Sequence, residues 1–186
     1  MKSLLSLLGL ALATLGSASA ADVALAVDKA QSRVEIVVKA TVDSFTGTLA
    51  DYQPVIRVNH DTGEVVSAEV GFAFAEVKTG KPDRDEQMHT WQETPKFPTG
   101  GFKLVSLTPT ADGRFTATGT LTFHGVTREL AFPVTITTDR RLFAFDGEAV
   151  IDTRTFDLPV IRKFGLLKVD PIVKVRFHLQ GSVLAN

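Results

Sequence analysis

The chain has 186 residues, with 20 basic and 21 acidic side chains, four His and no Cys. Charges that nearly cancel exclude a strongly basic nucleic-acid surface, and the missing Cys excludes both a disulfide framework and the acylated Cys of a bacterial lipoprotein. Thirteen Phe against one Trp and one Tyr bring apolar area without a polar handle, which suits a greasy interior better than a wet recognition surface.

The N-terminus has the layout of a secretory signal. Lys2 supplies the positive start, residues 4–15 are a short apolar stretch, and Ala18-Ser19-Ala20 places the cut before Ala21. The apolar stretch falls short of the ~20 residues that a spanning helix needs, and no later segment reaches that length. The expected mature chain, residues 21–186, is one domain, exported to the periplasm and without a membrane span.

Two-residue alternation dominates the mature chain. Val34, Ile36, Val38 and Ala40 oppose Arg33, Glu35 and Lys39, which is the mark of a strand with one face buried. The clearest case is 114–123, where Phe115, Ala117, Gly119, Leu121 and Phe123 share a face opposite four threonines. Leu130, Phe132, Val134 and Ile136 repeat the pattern, and so do Val169, Pro171, Val173, Val175, Phe177 and Leu179. Hairpin turn chemistry separates these runs at Asp61-Thr62-Gly63, Asp112-Gly113, His124-Gly125 and Asp139-Arg140-Arg141. Strands are expected at 32–42, 45–50, 54–59, 65–78, 101–109, 114–123, 127–138, 142–152 and 169–184, with Gly147 marking a bend or bulge inside its strand.

Residues 82–91 break the rhythm. Pro82 suits a first helical turn, Asp83, Asp85 and Glu86 lie at the positive end of the dipole, and Met88 and Trp91 share a face, with Pro95 and Pro98 beyond the stop. A short helix is expected there. The loop 153–168 mixes Phe156, Leu158, Ile161, Phe164 and Leu166 with Arg154, Arg162 and Lys163, and its apolar side chains are expected to line one end of the fold. Long antiparallel strands with one apolar side need their edges removed, and closure into a barrel does that. The expected fold is therefore all-β, an antiparallel barrel of about eight strands with one short helix.

Sites for chemistry are sparse. His60, His89, His124 and His178 show no compact ligand spacing, and parity places His124 and His178 outside, so no metal is expected. No phosphate loop, nucleophile elbow or zinc-binding helix motif is present. Arg84 and Asp85 fit two descriptions: holders of a ligand's polar end at the barrel mouth, or an ordinary exposed helix start. The Phe side chains also fit two: a solid core, or the coat of a tunnel.

Four stretches stand out together: Asp28-Lys29-Ala30-Gln31-Ser32-Arg33-Val34 leading to Phe45-Thr46-Gly47-Thr48-Leu49; Val77-Lys78-Thr79-Gly80 running into Arg84-Asp85 and Met88, with Phe97-Pro98 and Phe102 beyond; Gly119-Thr120-Leu121-Thr122-Phe123-His124-Gly125-Val126-Thr127-Arg128; and Ile151-Asp152-Thr153-Arg154-Thr155-Phe156-Asp157-Leu158. In this order they resemble the YceI-like family of lipid- or polyisoprenoid-binding proteins. Asp157 stands where the family usually has Gly.

The resemblance implies a lipocalin-like barrel in the periplasm, whose internal pocket takes a polyisoprenoid, an isoprenoid quinone tail or a related lipid. No cofactor beyond such a passenger is implied, nor is catalysis, and a homodimer is left open. The ligand-lining residues are then Phe72, Phe74, Met88, Trp91, Phe102, Leu104, Phe115, Leu121, Phe123, Phe132, Val134, Phe143, Phe145, Phe156, Phe164 and Phe177, with Arg84, Asp85 and Arg154 at the pocket mouth. At about 0.3 kcal/mol per non-hydrogen atom, an enclosed lipid of ~40 such atoms gains ~12 kcal/mol, enough for nanomolar binding. Two alternatives stand beside this. One is a barrel enzyme acting on a lipid-like substrate, with Arg84, Asp85 or a His as its polar group. The other is a solid-cored envelope stress protein that acts through partners.

Overall fold

The structure, a computed structural model, describes residues 22–163 and 167–183. The signal-like segment and Phe164 lie outside the described residues. Among the described residues twelve strands form one sheet: β1 (Asp22–Val27), β2 (Arg33–Ala40), β3 (Phe45–Leu49), β4 (Gln53–Asn59), β5 (Val65–Ala73), β6 (Val77–Lys78), β7 (Thr99–Pro109), β8 (Phe115–Phe123), β9 (Val126–Asp139), β10 (Leu142–Asp152), β11 (Arg162–Lys163) and β12 (Leu167–Val183). A helix, α1 (Pro82–Trp91), lies between β6 and β7.

Eleven of these segments make a closed eight-stranded antiparallel barrel, because the first three staves are each broken once, and β11 pairs only with β12, off the ring. β1 and β2 form the first stave, interrupted at residues 28–32; β3 and β4 the second, interrupted at residues 50–52; β5 and β6 the third, interrupted by a 3-10 turn at Phe74–Glu76. The lower halves pair as β1–β4–β5 and the upper halves as β2–β3–β6. β7, β8, β9, β10 and β12 complete the meander, and β12 closes the ring on both β1 and β2. The breaks are joined to one another: Lys29 pairs with Asp51, and the Ala50 N–H donates to the Glu76 carbonyl at 2.8 Å.

The expected strand set differs from this in three places. β1 falls outside that set, although Val23, Leu25 and Val27 alternate inward; the run expected at 65–78 is split by the 3-10 turn; and where plain loop is expected, residues 153–156 form a second 3-10 turn and Arg162–Lys163 the short strand β11. Gly147 is not at a bulge. It pairs with Phe177 in the middle of the β10–β12 ladder and with Val134 at the last pair of the β9–β10 ladder, while the register shifts fall at Arg57/Val58, Leu104/Ser106 and Val169/Val173. The β8–β9 connection is the tight two-residue turn its sequence suggests, with His124 at φ 50° and Gly125 at φ 71°. Asp157, in the position where a glycine is usual, also takes φ 60°, a region that Asp tolerates better than most residues.

Alternation puts the apolar set inside and a charge ladder outside. On the outer face of β10 and β12, Glu148 accepts from Lys174 and Arg176 at 2.6 and 2.7 Å, and Asp146 meets the His178 Nδ1 at 2.7 Å. The hydrogen bond from Lys174, and then that from Arg176, hold the Glu148 carboxyl below its ordinary value against the opposing pull of burial. A native pKa below the unfolded one stabilises the fold above the ordinary carboxylate range, and that contribution is lost as pH falls through the lowered value. Glu148→Gln should therefore flatten the decline of the melting temperature between roughly pH 5 and 3. Parallel decline in wild type and variant would show that the pair contributes nothing.

Candidate functional site

The turns and the helix sort to the two ends of the barrel and make them unlike. The β4–β5, β7–β8 and β9–β10 turns gather at one end, where Leu25, Val58 and Phe143 are buried to 6 %, 1 % and 2 % exposure and plug the barrel. At the other end α1 and residues 159–162 lie across the opening. Between them is a cavity of about 1000 Å³. The interior is thus hollow rather than filled by the protein's own side chains.

Its wall is hydrocarbon along the staves: Val34, Ile36 and Val38 from β2, Ile56 from β4, Val70 from β5, and Val173, Val175 and Leu179 from β12 are on the lining with their inward neighbours. The polar side chains on the lining, among them Asp43, Arg84, Glu86, Arg162 and Asp170, come from the open end, namely the β2–β3 turn, α1, β11 and the start of β12. A chain-like molecule lying in this space would have its apolar length along the staves and any polar group at the rim.

The open end is firmly built. Arg84 lies 3.9 Å over the Phe45 ring, donates through Nη2 to the Thr79 carbonyl at 2.7 Å, and has Nη1 3.9 Å from Asp43. Its Nε is buried with no hydrogen-bond partner among the described residues. Asp85 turns away from the cavity and accepts from both the N–H and the hydroxyl of Thr79. Burial pushes its carboxyl up, but the two Thr79 hydrogen bonds outweigh that and hold it below its ordinary value.

Trp91, at the end of α1, donates from Nε1 to the Pro159 carbonyl at 2.8 Å, tying the helix to the loop across the opening. The chain beyond α1 is pinned by Gln92, which is fully buried and donates to the Phe97 carbonyl at 2.9 Å while accepting from the Thr94 hydroxyl at 2.7 Å.

Of the expected lining residues, Phe72, Phe74, Met88, Trp91, Phe102, Leu104, Leu121, Phe123, Phe132, Val134, Phe145 and Phe177 lie on the cavity, as does Arg84. Phe115 and Phe143 do not. They face inward but sit at the closed end, below the hollow, with Phe143 in the plug. Phe156 is buried beside Phe123, its ring 5.6 Å away, in the 3-10 turn outside the lining. Arg154 is on the outer surface, where it forms a two-pronged pair with Asp152, and Asp85 caps the turn before α1. Neither reaches the cavity.

Sequence reasoning passes over the aliphatic part of the wall, notably Ile36, Val173 and Val175. Their signal is the same alternation, set aside in favour of aromatic rings.

The histidines also differ from expectation in one respect. His178 is on the outer face as parity indicates, but His124 is 11 % exposed, packed 4.2 Å from the Phe97 ring. Its Nδ1 is 2.9 Å from the Phe156 carbonyl, which can only accept, so the proton is on Nδ1. Nε2 faces Glu93 at 3.5 Å. Among the described residues no group of three or more His, Asp or Glu could hold a metal ion, and no helix is long and apolar enough to cross a membrane.

A closed antiparallel barrel with an apolar hollow, one plugged end and one polar rim belongs to the class of internal-cavity β-barrels. Within that class, the chain belongs to the YceI-like family, whose domain matches residues 25–181.

Solved structures share the fold. Burkholderia cenocepacia BcnA superposes with a TM-score of 0.72 at 22 % identity, over 83 % of this chain and 98 % of that one. A YceI protein of Campylobacter jejuni gives 0.66 at 18 % identity, over 77 % and 88 %. A polyisoprenoid binding domain from Saccharophagus degradans, implicated in plant cell wall breakdown, gives 0.63 at 14 % identity, over 87 % and 99 %. A search of the curated proteins returned no match.

Proposed function

We propose that this protein is an exported binding protein that shelters one long apolar molecule, a polyisoprenoid, an isoprenoid quinone or a related lipid, inside its barrel, and that it performs no catalysis. The observation that carries this is the cavity itself: about 1000 Å³ of space, walled by aliphatic and phenyl groups, with polar side chains gathered at one end. Cavities of roughly 300–1,000 Å³ enclose whole small ligands, and hydrocarbon walls reward apolar contact and penalise any buried polar atom left unpaired. The likeness to a polyisoprenoid binding domain supports the class of ligand. A binding role also agrees with where the titratable groups lie, since the charged side chains on the lining gather at the rim and the middle of the hollow is walled by hydrocarbon.

Export to the periplasm is part of the proposal. It is supported by Lys2, the apolar run at 4–15 and Ala18-Ser19-Ala20. Native mass spectrometry of protein purified from its own host without detergent tests both parts at once. The expected result is a chain beginning at Ala21 with one apolar passenger per protein, extractable into organic solvent. A chain that retains Met1, and an empty barrel indifferent to added isoprenoid quinones, would overturn them.

A further inference from the structure

Two glycines at inward strand positions lie beneath rings that line the cavity, and are themselves off its lining. On β10 the inward positions run Phe145, Gly147, Ala149, and on β7 they run Gly100, Phe102, Leu104; each glycine occupies a place where its neighbours present side chains to the hollow. Gly147 is paired directly with Phe177 of β12, and Gly100 with Phe72 of β5. A Cβ on Gly147 would lie 2.4 Å from the Phe177 Cζ, and one on Gly100 would lie 2.6 Å from the Phe72 Cζ. Both distances are well inside van der Waals contact. The rings therefore lie back across the neighbouring strand, in the space a side chain would take, and both are on the cavity lining. Phe177 also meets Phe132 edge-on at 5.7 Å, so its seat is shared with the rest of the aromatic wall.

We propose that Gly147 and Gly100 are specificity-determining residues: by seating Phe177 and Phe72 against the wall, they set a bore that passes a methyl-branched hydrocarbon chain. This rests on the reading of the barrel as a lipid container, and adds which chains it admits. An unbranched polymethylene chain is narrower than a methyl-branched one, and a tube for it needs no recessed rings. A chain with regularly spaced methyl branches needs the added width at every height it occupies.

One methyl on Gly147 must push the Phe177 ring off its seat and into the lumen, because the other near atom is the Pro133 backbone carbonyl at 3.1 Å, which leaves little room behind. Gly119 also faces a ring, that of Phe102. A Cβ there would in addition clash with the Lys103 backbone carbonyl, so its requirement for glycine is one of backbone and does not report on the bore.

The test uses the mature protein, delipidated, with geranylgeraniol and the unbranched primary alcohol of the same carbon count as probes. Gly147→Ala should weaken the isoprenoid alcohol by about ten- to a hundredfold, the scale on which a pocket discriminates single methylene groups, and the unbranched alcohol by less than threefold or so. Adding Phe177→Leu to Gly147→Ala should restore isoprenoid binding, since a shorter side chain no longer reaches across. Gly100→Ala should show the same selective loss, and it provides the reading if Gly147→Ala does not fold.

Wild-type protein that binds neither alcohol would overturn the lipid-container reading and this proposal with it. Wild-type binding of the isoprenoid that survives unchanged in both glycine variants, or a loss equal for both alcohols, would overturn the proposal and leave the container reading standing.

Discussion

Val175→Trp should weaken binding of a long isoprenoid chain by about a hundredfold while leaving the melting temperature of the lipid-free protein unchanged or raised. Val175 lies midway along β12, paired with Ile36 on one side and Ala149 on the other, and all three are on the cavity wall. An indole placed there has only the hollow to enter. If it displaces ~10 non-hydrogen atoms of ligand, at ~0.3 kcal/mol each, the loss is ~3 kcal/mol, or about a hundredfold in affinity. The effect on the lipid-free fold has the opposite sign from that in a solid core. In a filled interior the added volume forces neighbours off their rotamers and costs about 1–3 kcal/mol, whereas here it fills empty space and adds contacts. Competition against a fluorescent isoprenoid analogue, with calorimetric melting of the lipid-free protein, reads both quantities. A marked fall in melting temperature with binding intact would contradict the placement of Val175 on an open lumen.

Phe143→Ala should act on stability. Phe143 is 2 % exposed, its ring is stacked 6.4 Å from that of Phe145, and the β4–β5 turn at Gly63 closes over it. Removing a buried phenyl costs about 3–5 kcal/mol in lost transfer and cavity energy. For a domain of this size that corresponds to a drop in melting temperature of roughly 6 to 20 °C. Phe145, two residues along the same face, borders the hollow, so truncating it only enlarges existing space and should cost less. Thermal unfolding of the two alanine variants compares them directly. Equal losses would mean that the plug and the wall are packed alike, and that the barrel has no distinct closed end.

That contrast also shows how far the sequence can be read. Period-two alternation tells inside from outside correctly for Val34, Ile36, Val38, Phe123, Phe132 and Phe177, because strand geometry ties parity to face. Parity says nothing of height along the barrel axis. Phe143 and Phe145 share a face and a chemistry, yet one plugs and the other lines, and only the closure of the staves decides which. The same limit misplaces Phe115.

Parity puts His124 outside because it follows a strand in register. The tight β8–β9 turn takes it out of register, with φ 50°, and turns the ring under Phe97. Gly147 reads as a bend because a lone glycine in a strand commonly marks one. Its actual use, as a seat for a ring from the next strand, depends on a register that only the assembled sheet fixes. Arg84 and Asp85 stand side by side in sequence and part company in space, one to the lumen rim and one to the Thr79 turn, because successive residues at a helix start project in different directions. The β1 strand is legible in Val23, Leu25 and Val27 and is obscured by its closeness to the expected cleavage point.

An experimentally determined structure of the protein, isolated from its host without detergent, tests the central claim most directly. The account predicts one continuous rod of ligand density, running from beneath Trp91 and Arg84 down past Val175 to Phe145, with its polar end at the rim. A lumen closed by inward-rotated Phe72, Phe102 and Phe177, with any lipid bound on the outer surface, would contradict it.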